Sequence, residues 1–405
     1  MLRLCCALLL CNTFIIHPIF AQNQTLHIRT SVAANSVRFL GLQNNLRSSD
    51  KGISKLDIEY DTDNLLSQIS LNYDGYDNFN LDRSYLQYSS GIATFGVGAI
   101  ERNWSFSDKT SLILSHNASP FKSVYLNLEN EFKYNWMPSK AYWTLEAFNG
   151  LTKGSLKNGE SMLLGIRAIL SPIEGLDFEL VQTSQWGGKG YNNGISALGS
   201  ALLFDTNNSS NSNTNKMAGF GISYLIPSNL FPLRIYGQTI GEDEAGNLPS
   251  CYAYLAGLEW TNTKIKYPTI LSIEAINTRI DKTTNGYCGP NTMYNNNTYD
   301  YTNNGTSMGA EIDSEGTSLG LYVKSQLSQE INIEYATKSV VINDNNWSGH
   351  RLSSKRQSGL INSIGISWIK KDFSLKGNIY NQDFSLNKAN INKSYGIGFT
   401  SSIEF

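Results

Sequence analysis

The sequence predicts an all-β fold: one closed antiparallel transmembrane β-barrel of about eighteen strands with long extracellular loops. Three observations predict it. Apolar and polar residues alternate with period two along the chain. The connections between the alternating segments are short and long by turns. The composition is poor in charge and rich in aromatics. Charged residues are 16% of the 405, beside 22 Tyr, 17 Phe and 7 Trp, yet the mean hydropathy is only −0.28. Soluble domains carry about a quarter charged residues. A membrane barrel needs fewer and stays only mildly apolar, because each strand meets lipid on one face alone.

The alternation is clearest in the last segment, "SYGIGFTSSIEF". Tyr395, Ile397, Phe399, Ser401, Ile403 and Phe405 share one face, and Gly396, Gly398, Thr400, Ser402 and Glu404 share the other. Period two places successive side chains on opposite faces of an extended strand. An aromatic or branched face suits lipid and a small or charged face suits a watery lumen. A terminal Phe after such a strand resembles the closing strand of bacterial outer-membrane barrels. The segments "KLDIEYD", "LSQISLNYD", "YWTLEAFNG", "MLLGIRAIL", "LDFELVQTS", "TILSIEAIN", "SLGLYVKSQL" and "INIEYATKSV" repeat the pattern. No sustained helical periodicity and no Pro- or Ser-rich linker interrupts them.

Short connections are read at 61–64, 137–139, 171–175, 327–330 and 370–372, and long polar ones at 101–120, 186–216, 279–315 and 343–357. The run "DTNNSSNSNTN" at 205–215 is a low-complexity loop tip. Short turns on one side and long loops on the other are the asymmetry of periplasmic turns and extracellular loops. With Phe405 in the periplasm and roughly ten residues per tilted strand, about eighteen strands occupy about half of the mature chain.

The N-terminus begins "MLRLCCALLLCNTFIIHPIFAQNQ". Arg3, an apolar run from Leu4 to Ile16, Pro18 and the small Ala21 read as a secretory signal peptide over 1–21, cleaved near Ala21, because the run is too short to span a bilayer. "LLLC" at Cys11 invites a lipoprotein reading, but Leu precedes the cysteine where a small residue belongs. Residues 22–405 then form the barrel with no separate N-terminal helical domain. Cys251 and Cys288 remain after the signal, which suits a single disulfide in an oxidising compartment. The strand order brings both to the extracellular rim, so a disulfide between them is expected. No zinc pattern and no cofactor motif is present. A net charge of −2 provides no electrostatic footprint for nucleic acid.

Three loop segments carry candidate chemistry: "DKTSLILSHNASP" at 108–120, "QWGGKG" at 185–190 and "YGQTIGEDEAGNLPS" at 236–250. In this order, with "SPIEGLDFELVQTSQWGGKG" and "NKMAGFGISY" between, they resemble the Wzi family of outer-membrane capsule-assembly proteins, best over about 90–280. The resemblance implies an eighteen-stranded barrel of a Gram-negative outer membrane, acting as a lectin for capsular polysaccharide. Two departures stand out. A well-known member carries a helical periplasmic domain before the barrel, where here only about thirty residues separate Ala21 from "KLDIEYD". A tryptophan-glycine-proline segment expected before "SLI" is replaced by "NWSFSDKT".

By their chemistry, the Trp186 ring and its two following glycines suit the C–H face of a sugar. Gln185, Lys189, Gln238, Glu242, Asp243 and Glu244 supply donors and acceptors for hydroxyls. Each has a plainer reading. Trp186 also reads as an interface anchor in an aromatic girdle, and "GEDEAG" as a structural loop or ion-pair knot in the barrel mouth. A calcium site at Glu242, Asp243 and Glu244 lacks a recognised loop spacing. "HNAS" at 116–119 reads as a turn, because no Ser/His/Asp order accompanies it. The expected function is non-enzymatic binding or organisation of extracellular polysaccharide by a monomer that depends on membrane lipid and barrel-insertion machinery. An open porin or saccharide channel is the alternative, since eighteen strands enclose an aqueous lumen unless loops fill it.

Overall fold

The computed structural model describes residues 24–36, 39–41, 52–73, 79–134, 139–156, 159–202, 214–226, 231–245, 248–283 and 288–405. Among these residues eighteen strands close one sheet. They are β1 Gln24–Asn35, β2 Ile53–Thr62, β3 Leu65–Tyr73, β4 Tyr85–Ser90, β5 Ala93–Gly98 and β6 Lys122–Phe132. Next come β7 Ala141–Leu156, β8 Gly159–Ile173, β9 Leu176–Trp186, β10 Asn215–Ile226, β11 Leu233–Ala245 and β12 Leu248–Asn262. The last six are β13 Thr269–Asn277, β14 Thr317–Gln326, β15 Ile331–Ile342, β16 Gln357–Lys370, β17 Phe373–Gln382 and β18 Ser394–Glu404. One helix, α1 Ile195–Leu202, lies between β9 and β10.

Each strand pairs antiparallel with its neighbour in sequence, and β1 pairs with β18 from Arg29↔Glu404 to Asn35↔Gly398, which closes the barrel. Closure is what a bilayer demands, because an unpaired backbone N–H or C=O in hydrocarbon has no water to bond. The strand β1 was not among the segments singled out by alternation. Its sequence, QTLHIRTSVAAN, ends in small residues that carry little apolar contrast.

The outward face is a belt of exposed apolar side chains, among them Phe95, Leu180, Phe220, Ile273, Ile364 and Ile397. An apolar surface this extensive on a closed sheet is a lipid contact. The alternation seen at Ile397 and Phe399 holds, with Gly396 and Gly398 turned inward.

With an even strand count both chain ends lie at one end of the barrel. The connections there are short, such as 63–64, 91–92, 174–175, 327–330 and 371–372. The opposite end carries the intervals 99–121, 187–214, 278–316 and 343–356. The main buried cluster lies inside the lumen toward this loop end. There Trp104, Leu112, Tyr294, Tyr301 and Met308 from the loops meet Phe148, Val181, Tyr236, Ile240 and Val340 from the wall. Gly165 shows how close the approach is: a Cβ there would stand 2.2 Å from the Phe148 ring and 2.7 Å from Trp104.

Residues 1–21, read as a signal peptide, and 205–213 of the low-complexity run lie outside the described residues. At the other end, Phe405 extends the closing pair by two backbone bonds: Ile28 N donates to Phe405 O at 3.2 Å, and Phe405 N donates to Ile28 O at 2.8 Å. Deleting Phe405 is expected to reduce the folded, membrane-inserted fraction. Heat-modifiable mobility of the protein in isolated membranes measures it, and wild-type levels of the folded band would refute the expectation.

Candidate functional site

The loop end is built from two long connections that enter the lumen and bond to its wall and to each other. The first, 99–121, reaches the wall at separate points. The Trp104 indole donates to Glu146 Oε2 on β7 at 3.0 Å and packs edge-on against Phe148 at 5.3 Å. The Phe106 carbonyl accepts from Arg234 on β11 at 2.8 Å, and Thr110 bonds Glu311, which is ion-paired to Lys338 on β15. Trp104 belongs to the segment "NWSFSDKT", so this aromatic is an inward core residue.

The second connection, 278–316, packs onto the first. Tyr294 OH donates to the Leu112 carbonyl at 2.6 Å, Ser115 Oγ to the Gly309 carbonyl at 2.6 Å, and Asn117 Nδ2 to the Ser307 carbonyl at 3.0 Å. Tyr294 and Tyr301 stack at 5.8 Å. Cys251, on β12, forms a disulfide with Cys288 in this connection, with 5.4 Å between the Cα atoms. Closing a ring of 37 residues in sequence stabilises the fold by about 3–4 kcal/mol on the chain-entropy estimate.

The residues singled out by sequence have definite places. Gln185 is fully buried and inward; its Nε2 donates to the Asp300 carbonyl at 2.9 Å, and its Oε1 accepts from Asn215 at 3.0 Å. Gln238 accepts from Leu112 N at 2.9 Å and donates to the Trp104 carbonyl at 2.5 Å and to Glu179 at 2.9 Å. Glu242 accepts from the backbone N–H groups of Tyr294 and Asn295. These three therefore tether the loops. Lys189 is exposed beyond β9. Asp243 and Glu244 lie in β11, and their side chains are outside the described residues.

Trp186 does not offer an aromatic platform to the mouth. It follows the inward Gln185 by one residue, so the strand period turns it to the outer face with Phe178 and Leu180. There it is 3% exposed, packed with Leu164 and Ala201 beneath α1, and its Nε1 donates to Asn149 at 3.1 Å. The glycines after it serve the turn: Gly187, Gly188 and Gly190 have φ of 64°, 101° and 90°, which side-chain-bearing residues rarely adopt. "QWGGKG" and "GEDEAG" do share a target, since Gln185 and Glu242 grip the connection 278–316 at Asp300 and at Tyr294–Asn295. His116 of "HNAS" stands 3.8 Å from Glu101. Among the described residues no three metal-ligating side chains come together.

Sequence reasoning did not find the cavity of about 220 Å³ at this end, walled by Asn117, Ser307, Glu311, Asp313, Arg351 and Leu352 among others. Those residues come from three long connections that meet only in three dimensions. Arg351 donates to Asp313 Oδ2 at 2.7 Å and to the Tyr294 carbonyl at 3.2 Å. Burial alone would raise the Asp313 carboxyl, but the Arg351 guanidinium beside it holds it below the ordinary carboxylate range. Glu311 is likewise held low against burial, by Lys338.

His350 anchors the cavity wall in its neutral form. Its Nε2 donates to the Ser314 carbonyl at 2.9 Å and its Nδ1 accepts from Leu352 N at 3.1 Å. Burial depresses its pKa, helped by Arg351 and Lys388 and opposed by Asp313. The folded form thus binds a proton less readily than the unfolded chain. Its contribution to stability is complete above about pH 6.5 and is lost as pH falls through that value toward the depressed folded pKa. The melting temperature is expected to drop between pH 7.5 and 5.5, and His350→Gln to flatten that drop; equal slopes for both proteins would refute it. Trp186→Ala is expected to cost about 3 kcal/mol of stability and to free α1. Denaturant unfolding checks the first effect and proteolysis at 195–202 the second.

Comparison with known proteins places this architecture. Residues 19–390 match the family described as capsule assembly protein Wzi. A Klebsiella pneumoniae protein described as an uncharacterized 55.8 kDa protein in the cps region is 32% identical over 99 residues. That match spans 24% of this chain and only 20% of the relative. Among solved structures, Escherichia coli Wzi, titled a carbohydrate-binding β-barrel involved in group 1 capsule assembly, superposes with a TM-score of 0.74 at 20% identity. It covers 93% of this chain and 84% of its own. Pseudomonas aeruginosa OprD shares the fold more distantly, with a TM-score of 0.55, 8% identity and coverage of 95% and 96%. The family match extends over nearly the whole barrel, and the chain belongs to the Wzi family of outer-membrane capsule assembly proteins.

Proposed function

We propose that this protein binds surface polysaccharide at the loop end of its barrel and holds it at the cell surface, without catalysing a reaction on it. The observation that carries the reading is the filling of the lumen. The connections 99–121 and 278–316 cross from wall to wall, pack a continuous apolar cluster and leave a polar cavity between the loops. A transport barrel of this width needs an open aqueous path, whereas a lectin needs rigid loops that hold hydrogen-bonding groups in place. Escherichia coli Wzi, the neighbour of similar architecture, is titled as carbohydrate-binding.

On this reading the loop end faces the cell exterior, the short turns face the periplasm, and a leader ending near Ala21 is removed on export. The barrel acts as a monomer, inserted by the barrel-assembly machinery into lipid, and contacts no nucleic acid.

Two measurements test this together. In planar bilayers the wild-type protein is expected to pass little current. Gln238→Ala, which strips the bonds holding Leu112, Trp104 and Glu179, is expected to admit intermittent current. Cells lacking the protein are expected to shed polysaccharide into the medium, and re-expression to restore cell-associated levels. Sustained open conductance by the wild type, with unchanged polysaccharide retention in its absence, would assign the barrel to solute transport.

A further inference from the structure

Two residues on the wall of the cavity between the loops each carry a buried side-chain atom without a hydrogen-bond partner among the described residues. The atoms are the Asn117 side-chain carbonyl Oδ1 and the Ser307 hydroxyl Oγ. Both residues are more than nine-tenths buried. A buried polar atom left without a bond costs about 1–3 kcal/mol, so a partner arriving through the cavity gains what the empty fold forgoes. The amide of Asn117 cannot be turned over to hide its oxygen. Its Nδ2 donates to the Ser307 backbone carbonyl at 3.0 Å, and a carbonyl only accepts, so Oδ1 is the end left facing away. That end requires a donor. The Ser307 hydroxyl can give or take.

The charges around the cavity are largely committed. Arg351 is held by Asp313, Glu311 by Lys338, and Lys388 on the exposed rim donates to the Ser348 carbonyl. We propose that the cavity is a saccharide subsite for a neutral, hydroxyl-bearing sugar residue. One ring hydroxyl donates to Asn117 Oδ1 and a neighbouring hydroxyl bonds Ser307 Oγ, reached by a small turn of the two side chains. A uronate carboxylate offers acceptors only. It would meet Asn117 Oδ1 and the carboxylates of Glu311 and Asp313, so an acidic sugar is disfavoured at this depth. The inference rests on the polysaccharide-binding reading above and adds the place and the sugar class.

The experiment uses full-length protein in detergent and polysaccharide extracted from the surface of the cells that carry it. Ser307→Ala removes a buried oxygen that has no bond partner among the described residues, so its melting temperature is expected to equal or exceed that of the wild type. Its affinity is expected to fall about three- to tenfold, the worth of one or two hydrogen bonds. Thr306→Trp, which fills the cavity, is expected to abolish binding; Thr306 sits on the cavity wall. Neutral sugars released by acid hydrolysis of that polysaccharide are expected to compete with wild-type binding. Wild-type affinity in both variants would overturn the subsite while leaving the proposed function standing. Competition by the uronate fraction alone would overturn the sugar class. Failure of the wild-type protein to bind the polysaccharide at all would remove the proposed function and the subsite with it.

Discussion

Everything in this molecule follows from one constraint: backbone hydrogen bonds must be complete inside a hydrocarbon layer. An open sheet would leave one edge of N–H and C=O groups facing lipid at several kcal/mol each. The pairing of β1 with β18 removes that edge, and with it come the antiparallel order and the even strand number. An even number returns both chain ends to the same side and leaves the long connections on the other. The place of the candidate site is therefore a consequence of closure before any side chain is considered.

Closure creates a second problem, which the loops solve. Eighteen strands enclose a lumen too wide for their own inward side chains to fill. The inward residues accordingly act as docking points for two loops. Gln238, Gln185 and Glu242 each bond loop backbone, so polar groups in the wall and polar groups in the loops satisfy one another. Apolar loop residues supply the packing, with Trp104 edge-on against Phe148 where Gly165 makes room for both rings. Several buried charges stand in ion pairs, Arg102 with Glu146, Arg167 with Glu179, Arg351 with Asp313. Breaking one of these by removing a single partner costs far more than the pair contributes. The loops are thereby tied to the wall at many points, and on the proposed function such ties lower the cost of binding because few side chains are left to order.

The relation between the sugar-binding candidates and the actual wall of the cavity has a simple origin. Aromatic, amide and acidic side chains near a barrel mouth suit a ligand and suit a plug equally well, since both demand hydrogen bonds from the same atoms. Composition cannot separate the two uses. Trp186 illustrates the other difficulty. Its neighbour Gln185 points into the lumen, and one step along the strand reverses the direction, so a motif that reads as a unit is split between two faces.

The sequence by itself determined the barrel. Alternation along "LDFELVQTS" and "SYGIGFTSSIEF", the short turns at 327–330 and 370–372 and the long stretches 101–120, 279–315 and 343–357 coincide with the strands and connections observed. These are local signals: each strand states its own two faces, and each turn states its own length. The approach of Cys288 to Cys251 was legible too, because strand direction alone carries it. Only the tertiary structure decided what fills the lumen and where a ligand has room. Asn117, Ser307, Asp313 and Arg351 lie on three separate connections, and no periodicity relates them. Their meeting depends on side-chain contacts between loops that are distant in sequence, and such contacts leave no local trace.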